Sequence, residues 1–187
     1  MLSEKMDLRV KKTYLALIKS LEDLSRRKNF SDITVNEICD NAMVGRGTFY
    51  KHFNDKYDFL SFLINELVND CMTKASEAAQ SDNLCEYYKV FFSKFIENFK
   101  EGKYNFNFKQ IDNYMVQGVA FSPIAIVHNE VLKHLRENYS KDDKLNRFMA
   151  QYLTMELVIV LFCIIKGEQD IEEAKESISF LLEKLFA

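Results

Sequence analysis

The stretch that decides the predicted fold is TVNEICDNAMVGRGTFYKHFNDKYDFL, residues 34–60. Thr34 precedes Glu37 by three residues, which is the spacing of a capping box, so a helix is predicted to begin directly after Thr34. Apolar residues then recur at i, i+3, i+4 and i+7, which is the pattern of one buried helix face: Val35, Ile38, Cys39 and Ala42. The pattern ends there, so this helix is predicted to be short.

A second helix follows after a very short connection. Only Met43 and Val44 separate the first helix from one predicted to begin near Gly45. Such a connection is typical of a helix-turn-helix, whose second helix enters the major groove of DNA. Upstream, a longer helix ending near Lys28 is predicted from an apolar stripe that comprises Val10, Tyr14, Leu17, Ile18 and Leu21. Three helices are thus predicted before residue 53.

The helix that begins near residue 45 carries several groups that donate hydrogen bonds to phosphates and base edges. They are Arg46, Thr48, Tyr50, Lys51 and His52. A polar cluster on a helix is by default a solvated face, but its place directly after this connection favours contact with DNA. Phe49 and Phe53, spaced i, i+4, are predicted to face the three-helix core instead.

The segment from about Arg9 to Leu60 resembles the N-terminal domain of the tetracycline-repressor (TetR) family of bacterial transcriptional regulators. The family's commonest signature is Ala-Gly-Val-Ser-Arg-Gly-Thr-Phe-Tyr-x-His-Phe followed by Asp-Lys, and this chain has AMVGRGTFYKHFNDK at residues 42–56. Met43 stands where the family most often has glycine, and Gly45 replaces the usual serine. Neither departure removes a DNA-facing group. The resemblance covers roughly the first third of the chain.

The resemblance implies a double-stranded DNA operator as partner and a set of contact residues. These are Thr34, Arg46, Gly47, Thr48, Tyr50, Lys51, His52 and Lys56. Gly47 would let the helix approach the base edges, and Thr34 would add a phosphate contact to its role as a cap. Lys56 is unfavourably placed for the dipole of the next helix, and a phosphate opposite it would explain its presence.

The rest of the chain is also predicted to be helical, because one proline and five glycines leave little of the punctuation of a sheet protein. The predicted fold class is all-α with about nine helices. Residues 1–54 are assigned to a helix-turn-helix DNA-binding domain and residues 55–187 to a regulatory ligand-binding and dimerisation domain. The later helices are predicted at about 54–79 with Asn54 as cap, 84–100, 103–117, from Pro123, at 143–166 with Gly167 as stop, and from Asp170 onward.

Charge is divided unevenly along the chain. The net charge is −3, but residues 1–60 contain 11 basic and 9 acidic residues, whereas the remainder contains 14 and 19. The basic excess therefore lies with the motif, and the acidic remainder is expected to face away from DNA.

No catalytic, metal or cofactor site is predicted. The chain has no HExxH, GxSxG or phosphate-binding glycine loop, and His128 and His134 are six residues apart, on different faces of a helix. The four cysteines form no CxxC pair and lie in apolar helical patterns, so reduced core cysteines are favoured over ligands or disulfides. This usage indicates the cytoplasm.

Membrane association is not predicted either. The chain begins with a charged segment that does not resemble a signal peptide, and its longest apolar run, residues 157–165, is nine residues long. A run of that length is too short to span a bilayer.

Ten aromatic residues fall between Tyr87 and Tyr114, several of them at helical spacing. Such a stripe is by itself more typical of core packing than of a ligand cage. The family that the chain resembles generally binds a small molecule in this region, which implies an effector pocket for an apolar or aromatic compound. The predicted pocket residues are Phe91, Phe95, Phe108, Tyr114 and Met115.

A homodimer is predicted from the last two helices, because their apolar surface exceeds what one core of this size requires. The predicted interface residues are Leu157, Leu161, Ile178, Leu181, Leu182 and Leu185. The function inferred is sequence-specific operator binding, with repression relieved by a ligand. Two alternatives stay open: a DNA-binding co-activator whose second domain docks another protein, and an all-α enzyme or lipid-binding protein.

Overall fold

The computed structural model describes residues 7–79, 83–100 and 123–186. These residues form eight α-helices and one 3-10 turn at Phe30–Asp32, and they contain no strand. The helices are α1 (Leu8–Ser25), α2 (Val35–Ala42), α3 (Arg46–Tyr50), α4 (Lys56–Ala78), α5 (Leu84–Lys100), α6 (Pro123–Asn138), α7 (Asp143–Lys166) and α8 (Ile171–Leu185). The all-α fold is confirmed, while the helix predicted at 103–117 lies outside the described residues.

Most helix boundaries follow the local signals in the sequence. The capping box of Thr34 and Glu37 is present at the start of α2, and Asp170 forms a second one at the start of α8. Gly167 ends α7 in the left-handed conformation, with φ 72°, and α6 begins at Pro123 as predicted.

Two boundaries differ from the prediction. α1 ends at Ser25 instead of near Lys28. The cap of α4 is Asp55, not Asn54, because one Asp55 carboxylate oxygen accepts the backbone N–H groups of Tyr57 and Asp58, each at 2.8 Å. The Asn54 backbone N–H instead donates to the Asp58 carboxylate at 2.9 Å. Asp58 therefore donates its own N–H to Asp55 and accepts one from Asn54, an arrangement similar to a capping box.

The first of two compact units contains residues 7–66 and 98–100. Its core consists of buried apolar side chains from α1 to α4, which include Leu17, Leu21, Ile38, Phe49, Phe53 and Phe59. α1 and α2 are also joined by polar groups: the buried Ser20 hydroxyl donates to the Ile38 carbonyl at 2.7 Å, and the Asn41 amide donates to the Ser20 hydroxyl at 3.2 Å. This shared core therefore fixes the orientation of α2 and α3 within the first unit.

The second compact unit contains residues 67–97 and 123–186. The described residues of α5 include five buried aromatic side chains, so the aromatic stripe is core packing at these positions: Tyr87, Tyr88, Phe91, Phe92 and Phe95. The Tyr88 hydroxyl lies 3.1 Å from Nδ1 of His134 on α6, and burial lowers the pKa of that histidine. Two ion pairs join α5 to α8, Lys89–Glu183 at 2.7 Å and Lys175–Glu97 at 2.8 Å.

Within the described residues, α7 contains the one segment, Asp143–Ile164, that is long and apolar enough to cross a membrane by length and composition. It is longer than the nine-residue apolar run noted in the sequence because scattered polar residues do not interrupt it. Part of the segment is buried within the protein, and core helices of soluble proteins meet the same two criteria.

Candidate nucleic-acid interface

The start of α2 is held by a closed set of hydrogen bonds. The Thr34 hydroxyl accepts the Glu37 backbone N–H at 3.2 Å, and the Glu37 carboxylate accepts the Thr34 backbone N–H at 2.9 Å. Lys28 from the end of the first helical region pairs with the same carboxylate. The bond from Lys28, followed by those from Thr34, lowers the pKa of Glu37 to about 2. α2 therefore begins at a fixed residue.

The turn between α2 and α3 is tight and contains one strained residue. Met43 adopts the left-handed conformation, with φ 54° and ψ 36°, and its N–H bonds back to the Asp40 carbonyl at 3.2 Å. No other described residue except glycine has a positive φ. The side chain of Met43 is 96% exposed. The fold thus accommodates Met43 in the left-handed conformation, at a cost of about 1–2 kcal/mol relative to glycine.

α3 is short and two-faced. Phe49 is completely buried, Phe53 just beyond the helix is nearly so, and their ring centroids are 5.5 Å apart. Both also contact the ring of Phe59 on α4, at 5.8 and 4.8 Å. The predicted core role of the two phenylalanines is confirmed. Their anchoring fixes which face of α3 is presented to solvent.

The outward face of α3 carries the polar groups expected from the sequence. Arg46, Gly47, Tyr50 and Lys51 are exposed. The side chains of Arg46 and Lys51 make no hydrogen bond or ion pair with any residue that the structure describes. A Cβ added at Gly47 would meet no atom within 4 Å, so the fold itself does not require glycine there. The face is therefore cationic, and the protein leaves it uncovered.

Two threonines of the predicted set lie at the edges of this face. Thr48 is half-buried, and its backbone N–H bonds to the Gly45 carbonyl at 2.8 Å in the first turn of α3. Thr34 is exposed at the start of α2, where its hydroxyl also donates to the Glu37 carboxylate at 2.9 Å. A phosphate contact by Thr34 stays a prediction, since its hydroxyl is already engaged in the cap.

His52 follows α3 and is half-buried. Its Nδ1 lies 3.3 Å from the hydroxyl of Tyr14 on α1, and the two rings meet edge to face with centroids 5.2 Å apart. The sequence prediction had placed Tyr14 in an apolar stripe and His52 among the DNA contacts. A hydrogen bond between them was missed, because nothing in the local pattern links residues 38 positions apart.

Lys56 occupies a different environment from the one predicted. Its ammonium group donates to three backbone carbonyls, those of Phe30 at 3.0 Å, Ser31 at 2.7 Å and Ile33 at 2.7 Å. These carbonyls belong to the 3-10 turn and the residue that follows it, and burial lowers the pKa of Lys56. Because an ammonium group has three hydrogens, all are committed. The geometry accounts for Lys56 without a phosphate, and a direct phosphate contact would require it to leave a carbonyl.

The predicted ligand residues are placed only in part. Phe91 and Phe95 are buried in the second unit, with ring centroids 6.1 Å apart. Phe108, Tyr114 and Met115 lie outside the described residues. The pocket therefore stays a prediction.

The predicted dimer residues require a correction. Four of the six, Leu157, Leu161, Ile178 and Leu182, are at most 7% exposed because they pack inside a single protomer. Leu181 and Leu185 are half-buried. The side of α7 and α8 that these predictions selected is thus mostly the internal one, and it cannot be offered to another chain without opening the core.

A different set of apolar side chains on the same two helices is exposed. On α7 they recur with spacings of alternately four and three residues, which is the repeat of a coiled-coil seam. They are Phe148, Tyr152, Met155, Ile159 and Phe162, each between 36% and 62% exposed. Phe180 on α8 is 65% exposed. We call these six residues the α7–α8 stripe. The residues of the stripe on α7 have a regular spacing in the sequence, but they are not among the leucines and isoleucine predicted at the interface.

Comparison with known proteins shows that part of the first unit is similar to a known family. A family model described as "Bacterial regulatory proteins, tetR family" matches residues 17–61, which include α2, the turn and α3. Over 51 residues the chain is 37% identical to the transposon Tn10 TetC protein of Escherichia coli. The aligned segment covers 27% of this chain and 26% of that protein, so the match spans about a quarter of the relative's length.

Solved structures resemble nearly the whole chain. A putative TetR-family transcriptional regulator from Syntrophomonas wolfei has a TM-score of 0.64 at 16% identity, covering 94% of this chain and 95% of that one. The fatty acid degradation regulator FadR from Bacillus halodurans has a TM-score of 0.60 at 16% identity, covering 96% of each. At these identities the likeness shows a shared fold, in which a helix-turn-helix domain is followed by a helical domain.

Proposed function

We propose that this chain is a member of the TetR family of bacterial transcriptional regulators, binds a palindromic DNA operator as a homodimer and represses transcription until a small ligand releases it. DNA binding and transcriptional regulation come with the family. The operator symmetry, the sign of regulation and the ligand are our proposal. The observation that carries it is the exposed cationic face of α3, fixed from behind by Phe49 and Phe53.

In the proposed complex α3 lies in the major groove. Arg46, in the first turn of α3, reaches a base edge, for which a guanidinium bidentate to guanine is the commonest specific contact. Gly47 allows close approach of the helix, which supplies the reason for glycine that the fold does not. Thr48 and Tyr50 contribute hydroxyl groups at the edge of the same face. Lys51, His52 and Thr34 contact phosphates, which orient the helix without reading sequence.

We place Lys56 behind this surface instead of on it. Its three hydrogen bonds hold the carbonyls of the 3-10 turn that precedes α2. The phosphate contact first assigned to Lys56 is retained only as an alternative, and the salt dependence discussed below separates the two roles.

The homodimer is proposed to form through the α7–α8 stripe. A seam of exposed apolar residues with coiled-coil spacing is suited to packing against a second copy of itself about a two-fold axis. Lys166 lies 5.2 Å from the ring of Phe162, and Lys184 lies 5.6 Å from that of Phe180, so a cation flanks each aromatic group at the edge of the stripe. The proposed interface thus has an apolar centre and a charged rim.

The regulatory ligand is proposed to be a small apolar or aromatic compound bound among the helices of the second domain, residues 55–187. The aromatic content of α5 supports this class, and one structural relative is a regulator of fatty acid degradation. The alternative is a co-activator whose second domain docks another protein and binds no small molecule. We propose a regulator without catalytic activity, located in the cytoplasm, because the family match and the fold are those of transcriptional regulators.

The experiment that tests operator binding begins with selection of duplexes bound by the full chain from a random pool. The recovered site should contain two inverted half-sites, because a two-fold dimer presents two copies of α3. Random recovery with no shared motif would remove the operator proposal. A compound that binds the dimer should weaken operator binding by the same factor by which the operator weakens its own binding, typically about 5- to 150-fold.

Arg46→Ala tests whether α3 reads the DNA sequence through Arg46. Loss of a bidentate base contact should cost about 1–3 kcal/mol on the selected operator and relax preference at one position in each half-site. Binding to a scrambled duplex should change much less. Fluorescence anisotropy on both duplexes measures the difference, and an equal loss on both would show that Arg46 does not read bases.

A further inference from the structure

We propose that Tyr14 on α1 is a positioning residue for DNA binding: its hydroxyl holds the imidazole of His52 so that the Nε2–H group is presented to a DNA phosphate. The inference rests on the proposed function and extends the interface to a helix that carries none of the predicted contacts. It also gives a joint role to Tyr14, which the sequence predicts in an apolar stripe, and His52, which it predicts as a DNA contact.

The geometry of the pair is well defined. Tyr14 Oη lies 3.3 Å from His52 Nδ1, and the rings meet edge to face at 5.2 Å. The Tyr14 ring is held from other sides by Phe53, at a centroid distance of 5.3 Å, and by Phe62, at 4.9 Å. The phenol is therefore fixed by the core of the first unit, and it constrains a side chain at the end of the recognition segment.

The hydrogen bond links the Tyr14 hydroxyl to the tautomer of His52, because Nδ1 accepts from the hydroxyl in one neutral tautomer and donates to it in the other. Burial raises the pKa of Tyr14, so the phenol is protonated at neutral pH and has a hydrogen to donate. When it donates to Nδ1, a neutral imidazole must carry its own hydrogen on Nε2. An imidazolium formed beside a phosphate also has a hydrogen on Nε2. Both of these forms of His52 offer a donor.

The remaining neutral tautomer, with its hydrogen on Nδ1, would be unsuitable. It would turn the Nε2 lone pair towards a phosphate, and the hydroxyl hydrogen of Tyr14 would lose its one hydrogen-bond partner among the described residues. Tyr14 thus selects against the form of His52 that repels an anion.

Position and surroundings favour a phosphate as the group that His52 binds. His52 directly follows the exposed Lys51, and its Nε2 has no hydrogen-bond partner among the residues that the structure describes. A single N–H at the end of a recognition helix contacts backbone more readily than a base edge, which generally requires paired donors and acceptors for discrimination. The effect of Tyr14 should therefore be independent of DNA sequence.

A double-mutant cycle tests whether Tyr14 acts through His52. The proteins are the wild type, Tyr14→Phe, His52→Ala and the double variant, and the probe is a mixed-sequence duplex at low salt. Tyr14→Phe keeps the ring and its packing but removes the hydroxyl. It should weaken binding about fivefold for each bound protomer, which is the net worth of one hydrogen bond. In the His52→Ala background the same change should have no effect.

A spectroscopic measurement on the free protein supplies an independent readout. Histidine ¹⁵N chemical shifts distinguish a nitrogen that carries hydrogen from one with a lone pair. Neutral His52 should be found with hydrogen on Nε2 in the wild type and as a mixture of tautomers in Tyr14→Phe. Tyr139→Phe, which removes a hydroxyl in the second unit, is the matched control and should alter neither tautomer nor affinity.

The outcomes distinguish a failure of the Tyr14 role from a failure of the proposed function. A wild type that binds duplex but gives additive losses in the cycle overturns the role of Tyr14 alone, as does a wild-type His52 with its hydrogen on Nδ1. A wild type that binds no duplex under any salt condition overturns the proposed function and the phosphate role together.

Discussion

The two compact units present opposite kinds of surface. In the first, α3 turns its aromatic side chains inward and exposes Arg46, Tyr50 and Lys51. In the second, α7 and α8 bury most of the leucines predicted at the dimer interface and still expose the α7–α8 stripe, which includes Ile159 and Phe180. Within one protomer, the cationic surface lacks anionic partners and the apolar surface lacks packing partners.

The contrast indicates how each surface should behave alone. Cationic side chains are well hydrated in water, so the exposed face of α3 needs no covering partner, and DNA binding exchanges condensed counterions for Lys and Arg. Exposed apolar groups have no such compensation, and contiguous patches of them on soluble proteins usually mark an interaction site. The first surface should therefore be regulated by salt and the second should be covered permanently.

The largest expected effect is that of a charge placed in the stripe. Ile159→Glu would bury an unpaired carboxylate against the second copy, which costs several kcal/mol. The dimer should dissociate at micromolar concentration, and operator affinity should fall by orders of magnitude because the two half-sites are no longer bound together. Analytical ultracentrifugation measures the mass, and anisotropy measures the affinity.

Asn129→Glu is the matched control for this change, since it adds a carboxylate at an exposed position of α6 outside the stripe. It should leave both mass and affinity unaltered. A dimer that survives Ile159→Glu with its affinity intact would place the interface elsewhere, and the contrast between the two units would then have no energetic basis.

An intermediate effect should distinguish two lysines of the first unit. Lys56→Ala removes three hydrogen bonds to backbone carbonyls and should lower the free energy of unfolding by about 1–3 kcal/mol. Lys51→Ala should leave stability unchanged, because the Lys51 side chain has no partner among the described residues. It should instead reduce the slope of log affinity against log salt by about 2 for a dimer.

Urea denaturation and anisotropy across a salt series measure these two quantities for both variants. If Lys56→Ala retains wild-type stability and lowers the salt slope by about 2, Lys56 holds phosphate as the sequence first predicted. A variant that loses stability and keeps the slope assigns Lys56 to the support of the 3-10 turn.

The features predicted well from the sequence depend on neighbours a few residues away. The Thr34–Glu37 capping box, the stop at Gly167 and the start at Pro123 each act within one helical turn, so their residue types are sufficient evidence. The inward orientation of Phe49 and Phe53 belongs to the same class, because i, i+4 spacing fixes their common face.

The features that were missed depend on contacts between distant residues. Lys56 bonds to carbonyls 23 to 26 residues upstream, and Tyr14 reaches His52 over 38 residues, so only the folded chain reveals either contact. The dimer residues failed for a related reason. α7 is apolar on several sides, and the sequence alone did not determine which of them α6 and α8 would cover.

The smallest expected effect concerns one left-handed backbone position in each unit. Met43 and Gly167 both adopt the left-handed conformation, with φ 54° and 72°. Met43→Gly relieves about 1–2 kcal/mol of strain but gives the unfolded chain more freedom, worth about 0.5–1 kcal/mol, so a net gain of about 0.5–1 kcal/mol is expected. Gly167→Ala should lower the free energy of unfolding by a similar amount. An added Cβ would meet no atom within 4 Å, so the cost comes only from the left-handed backbone conformation. Urea midpoints at constant m-value measure both changes.

DNA affinity then determines what Met43 contributes beyond its backbone. Its side chain is 96% exposed in the turn that leads into α3, so Met43→Gly removes no contact within the protein. If the side chain is merely tolerated, the variant should gain stability and bind operator as the wild type does. A variant that is more stable but binds operator less tightly would instead show that the thioether contacts DNA. The strain at Met43 would then be stored at the interface for binding, unlike the unstrained turn at Gly167, where glycine has no such role.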